Sequence, residues 1–91
     1  MLFRSESGWI GWAYALRELN RVEEARAVLL DAEKYHGTNS AVLHYNLACY
    51  DALLGALKNA RARLEKACRM DAQFKITARE DPDLVALWEP G

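Results

Sequence analysis

The sequence predicts an all-α fold on three observations. Apolar residues recur at three- and four-residue spacing, Gly, Asn and Pro cut the chain into segments of similar length, and no run alternates with period two. β-Branched residues are sparse, which removes the composition that a sheet wants. With 91 residues, 52% hydrophobic and 27% charged, the chain is the size of one small domain and too apolar for disorder.

Each element has a local reason. Ser7-Gly8 precede Trp9, Trp12, Ala13, Leu16 and Leu19, a single helical stripe that Asn20 can end in a left-handed conformation. Asn20 also offers a cap to the second helix, with Glu23 three residues on as in a capping box and Glu24 beside it at the favourable end of the helix dipole. Val22, Ala25, Val28, Leu29 and Ala32 carry that helix to Gly37. Thr38, Asn39 and Ser40 supply capping oxygens for a third helix, striped by Leu43, Leu47, Tyr50 and Leu54 and stopped at Gly55. A fourth places Leu57, Ala60, Leu64 and Ala67 on one face, with Lys58, Arg61, Glu65 and Arg69 on the other, and stops near Asp71. After Phe74-Lys75-Ile76 the pair Asp81-Pro82 breaks any continuing helix. Pro82 then starts a short one, capped by Asp81 and carrying Leu84, Val85, Leu87 and Trp88.

The segments repeat. A shift of 35 residues pairs Ala25 with Ala60, Trp12 with Leu47, Ala13 with Ala48, Leu29 with Leu64 and Ala32 with Ala67. The turns align as well, Asn20 with Gly55. On these residues the chain resembles the tetratricopeptide repeat (TPR) family, whose unit reads W-x2-L-G-x2-Y, then A-x3-F, then A and P. Trp9, Trp12, Ala13, Leu16, Ala25, Leu29 and Ala32 stand at the pattern positions of the first unit, and His44, Leu47, Ala48, Asp51, Ala60, Leu64 and Ala67 at those of the second. Asp51 replaces an aromatic, His44 replaces Trp, and Gly37 and Ala72 replace the terminal Pro. The run Tyr45-Asn46-Leu47-Ala48-Cys49-Tyr50 is similar to many bacterial TPR proteins.

The resemblance implies a TPR-like α-solenoid within a single domain over 1–91: a first helix-turn-helix repeat at 7–37, a second at 40–72, and a C-terminal cap at 73–91 that covers the last repeat. Small residues at Ala13, Ala25, Ala48 and Ala60 would let helices approach, and Trp12, Leu29, Leu47 and Leu64 would fill the joints. On that packing Trp12→Ala is expected to cost about 3 to 5 kcal/mol.

No constellation for chemistry stands out. His44 and Cys49, the nearest base and thiol, are five residues apart and project about 140° from each other on a helix. Cys49 and Cys68 lack C-x-x-C spacing, His36 and His44 lack a zinc spacing, and Gly8 and Gly11 follow no strand that would make a phosphate loop. The expectation is therefore no catalytic residue, no metal and no cofactor. Two cysteines and no apolar signal region fit a reducing cytoplasm.

Partners are the remaining function. Twelve Lys and Arg against thirteen Asp and Glu give a net charge of −1, so there is no global attraction to nucleic acid or anionic membrane. The basic set Lys58, Arg61, Arg63, Lys66 and Arg69 reads as the solvated face of a helix, with nucleic-acid binding as the distant alternative. The resemblance implies a concave face lined by first helices: Ile10, Tyr14, Arg17 and Glu18 beside Tyr45, Asn46, Cys49, Ala52 and Leu53. That face would hold a protein or peptide, or else be covered by the chain's own tail, by another copy or by neighbouring repeats. Carboxylate-binding TPR domains use Lys and Asn here; Asn46 fits, but Ile10 and Tyr14 replace other contacts. A symmetric homodimer in which the first helices meet, near Met1, Leu2, Phe3, Ile10 and Tyr14, is the structural alternative.

Overall fold

The protein is described here from a computed structural model, over residues 5–89. Met1, Leu2 and Phe3, expected at a dimer flank, lie outside the described residues. Helices α1 (Glu6–Glu18), α2 (Val22–His36), α3 (Ala41–Leu53), α4 (Leu57–Met70) and α5 (Phe74–Glu80) follow in order, and a 3-10 helix, Pro82–Leu87, closes the chain. No strand occurs among the described residues.

The α1–α2 and α3–α4 turns are built alike. Asn20 takes φ 63°, and the Arg21 N–H returns to the Leu16 carbonyl at 2.9 Å. Gly55 takes φ 85°, and the Ala56 N–H returns to the Asp51 carbonyl at 2.8 Å. A left-handed residue and a six-to-one hydrogen bond end a helix and reverse the chain within a few residues, which is why Asn and Gly stand there. The caps differ in detail from expectation. Ser5, not Ser7, starts α1, because its Oγ reaches the Gly8 N–H at 3.2 Å. Asn20 does not cap α2: its backbone is committed to the turn, the N-cap is Arg21, and the Arg21 side chain grips Glu24 instead. Ser40 caps α3 through the Leu43 N–H, while its hydroxyl donates to Glu6 and ties the starts of α1 and α3 together.

Helix α3 is the axis of the packing. It touches α1, α2, α4 and the 3-10 helix, and it buries residues on almost every side. Around it Ala13, Leu16, Ala25, Leu29, Ala32, Leu47, Ala48, Ala60, Leu64 and Ala67 are all buried. Trp12 departs from expectation. It is 42% exposed and stacks on Trp9 at 6.0 Å, with Trp9 in turn against Tyr35 of α2 at 6.1 Å. At the other end Leu84 and Leu87 are buried, whereas Val85 and Trp88 are exposed. No helix of the described residues is long and apolar enough to cross a membrane.

The exposure of Trp12 separates two positions that the repeat aligns. Leu47→Ala, emptying a fully buried site, is expected to cost about 2 to 5 kcal/mol. Trp12→Ala is expected to cost well under half as much, and paired urea melts of the two variants measure the difference.

Candidate functional site

The expected concave-face residues separate into four groups, of which Tyr45 alone forms one. Tyr14, Arg17, Glu18, Asn46 and Cys49 come together with Tyr50 and with Asp81, Pro82 and Asp83 around a cleft of about 260 Å³ between α1, α3 and the 3-10 helix. Ile10 and Tyr14 line an adjoining apolar depression of about 480 Å³ with Gly11 and Val42. Tyr14, 57% exposed, lines both. Ala52 and Leu53 line neither: Ala52 is buried and Leu53 is exposed at the end of α3.

Tyr45 and Cys49 are covered rather than open. The Tyr45 ring stacks on Phe74 of α5 at 4.6 Å, and its hydroxyl donates to Asp81 Oδ2 at 2.6 Å. The Cys49 Sγ lies 3.7 Å from the same oxygen. Arg17 donates to both carboxylate oxygens of Asp83, from Nη2 at 2.6 Å and from Nε at 3.3 Å. Asp81 Oδ1 meanwhile accepts the Asp83 N–H at 3.0 Å, so Asp81 is at once the cap of its own helix and the acceptor for α3. The tail thus presents two carboxylates to donors on two different helices. Burial, with Asp81 and Asp83 adding to it, pushes the Cys49 thiol well above its ordinary value and keeps it protonated. Burial likewise raises the Tyr45 phenol, with the Asp81 hydrogen bond reinforcing it.

A second polar set lies between α2 and α4. Arg26 Nε donates to the buried Asp51 at 2.5 Å. Arg63 donates to both Glu33 oxygens, at 2.5 and 3.0 Å, and its Nη1 also lies 3.0 Å from His44 Nδ1. The fully buried His44 completes the set: Nε2 sits 2.7 Å from the Gly37 carbonyl and is assigned as the donor, which leaves Nδ1 to accept from Arg63. Lys66 and Asn59 complete a cleft of about 440 Å³ over these pairs. Arg63 is therefore not part of a solvated basic face; Lys58, Arg61, Lys66 and Arg69 are exposed, but Arg63 is half-buried by its grip on Glu33. Its guanidinium holds the Glu33 carboxyl below its ordinary value of 4.5, against the opposing effect of burial.

Asp81, Asp83, Arg26, Glu33 and Arg63 were missed as partners by sequence reasoning. The available signal lay in the two departures from the repeat pattern, His44 and Asp51, since polar residues at core positions demand partners. Cys49, Asp81 and Asp83 also bring three possible ligand atoms within 4.8 Å of one another. Those atoms are engaged by Tyr45 and Arg17, and the guanidinium already supplies the positive charge. No family model, curated protein or solved structure matches the chain.

The protonated, buried Cys49 is expected to react with a thiol reagent at least tenfold more slowly than half-buried Cys68 in the folded protein, and at the same rate in denaturant; mass spectrometry of the labelled peptides checks it. Because the folded pKa of Glu33 lies below its unfolded value, its pairing stabilises above about 4.5 and the benefit is lost as pH falls through the folded value. Glu33→Gln should therefore flatten the acid limb of the melting temperature against pH.

Proposed function

We propose that the chain is a TPR-like interaction module that binds a protein or peptide in the groove between α1 and α3, with no catalytic role of its own. The observation that carries this is the exposed Tyr14 at the junction of an apolar depression and a polar cleft. Aromatic anchors beside convergent polar groups are what peptide-binding grooves use. Two antiparallel helix pairs with identical turn geometry, and buried alanines at matching positions, support the solenoid reading. The second reading, self-assembly, is favoured by the partly exposed rings of Trp12 and Tyr35, each stacked on half-buried Trp9.

A displayed peptide library panned on the full chain tests the first reading. Enriched peptides should lose at least tenfold in affinity on Tyr14→Glu and on Ile10→Glu, each with an unchanged melting temperature. Failure to enrich any sequence, or binding indifferent to both substitutions, overturns it. Sedimentation equilibrium at micromolar concentration tests the second: a single 10.3 kDa species throughout rejects self-assembly.

A further inference from the structure

We propose that the face of α1 around Gly11 and Tyr14 takes a cationic, apolar segment of a partner protein, with one aliphatic side chain beside Gly11 and a Lys or Arg against Glu18 and Asp81. This rests on the reading of the groove as an interaction surface and names the ligand class it takes.

The first argument is charge. The two depressions that Tyr14 lines carry four carboxylates, Glu6, Glu18, Asp81 and Asp83, against one cation, Arg17, on a chain whose net charge is only −1. Arg17 is spent on Asp83, to which it donates twice. Asp81 is held by neutral donors, the Tyr45 hydroxyl and the Asp83 N–H, and Glu6 by the Ser40 hydroxyl. Glu18 is more than half exposed and lies 3.9 Å from Arg17, beyond hydrogen-bond reach. Walls of one sign attract an entering cation and repel an acidic segment.

The second argument is the room beside Gly11. Ile10, Tyr14 and Val42 wall the depression of about 480 Å³, and Val42 is 39% exposed there. Glycine inside a helix weakens it, yet a β-carbon at position 11 would meet nothing within 4 Å. No neighbour among the described residues therefore requires glycine, and what its missing side chain leaves is space for an aliphatic group against the Tyr14 ring.

The third argument is spacing. Gly11 and Glu18 belong to one helix, and the seven positions between them span about 10 Å along its axis. Three residues of an extended or polyproline-type segment cover the same distance, at about 3.1 to 3.4 Å each. Asn46 of α3 lines the cleft with Tyr14 and offers both a donor and an acceptor to a backbone passing over it. The segment that fits is therefore an aliphatic residue and a Lys or Arg three positions apart, in either order.

The test scores a displayed library of random peptides panned on the full chain. Enriched peptides are expected to carry a Lys or Arg three residues from an aliphatic one and to weaken several-fold in high salt. Their affinity should fall at least tenfold on Gly11→Leu, which fills the depression, and at least threefold on Glu18→Lys, both with melting temperatures no lower than that of the unsubstituted chain. Synthetic copies with Glu in place of the cation should bind the Glu18→Lys chain more tightly than the unsubstituted one. Should Gly11→Leu fail to fold, Glu18→Lys and this charge swap decide alone. Enriched peptides that are acidic or uncharged, or that ignore Glu18→Lys and salt, overturn the proposal; if they still need Tyr14, the groove's interaction role stands. Affinity unchanged in a folded Gly11→Leu chain overturns it as well. A chain that sediments as a dimer and reverts to monomer on Gly11→Leu places a second copy on this face and also overturns it. A library that enriches nothing removes both readings.

Discussion

Everything in this structure depends on α3 being enclosed. A helix buried on one stripe can leave its polar residues to water, but α3 is covered by α1, α2, α4 and the 3-10 helix, and Leu43, Tyr45, Leu47, Ala48, Cys49 and Tyr50 are buried around its circumference. Every polar group on it must then find a partner within the protein, since an uncompensated buried charge costs about 3 to 5 kcal/mol. Asp51 finds Arg26, His44 finds Gly37 and Arg63, and Tyr45 finds Asp81. These bonds fix how α2, α4 and the tail sit on α3, which hydrophobic burial alone would leave loosely specified.

The sides of α3 serve different ends. Towards α2 and α4 the contacts belong to whole helices, with alanines admitting close approach and ion pairs at Asp51 and Glu33 locking the register. Towards the tail the same helix meets only a short 3-10 helix and the single ring of Phe74. The joints with α2 and α4 and the contact with the tail thus share one helix, and the tail contact adjoins the cleft at Tyr14.

Half of the candidate site was legible. Tyr14, Arg17, Glu18, Asn46 and Cys49 were placed on one face by the resemblance to TPR proteins, and they do surround one cleft. Spacing could not show that Cys49 is closed off by Asp81, nor that Ala52 and Leu53 fall outside the groove, because those outcomes depend on a segment thirty residues downstream and on where α3 ends. Arg63 was read as solvated for the same reason: its partner Glu33 lies 30 residues away on another helix. Trp12 was placed in a joint by the same repeat pattern that placed Leu47 in one, yet Leu47 is fully buried while Trp12 is 42% exposed beside Trp9.

What the sequence determined by itself is whatever a few neighbouring residues decide. Apolar period made helices, Asn20 and Gly55 accepted the left-handed turns, Ser40 capped α3, and Pro82 with Asp81 began the last helix. Each of these is set within a turn or two of backbone, where sterics and local hydrogen bonds act without knowledge of the rest. The tertiary structure alone decided which polar residues became partners, pairing Arg17 with Asp83 across 66 positions and Tyr45 with Asp81 across 36. Such pairs form only after packing has brought distant helices together and removed water from between them, so their strength and identity come from burial and geometry that no local pattern encodes.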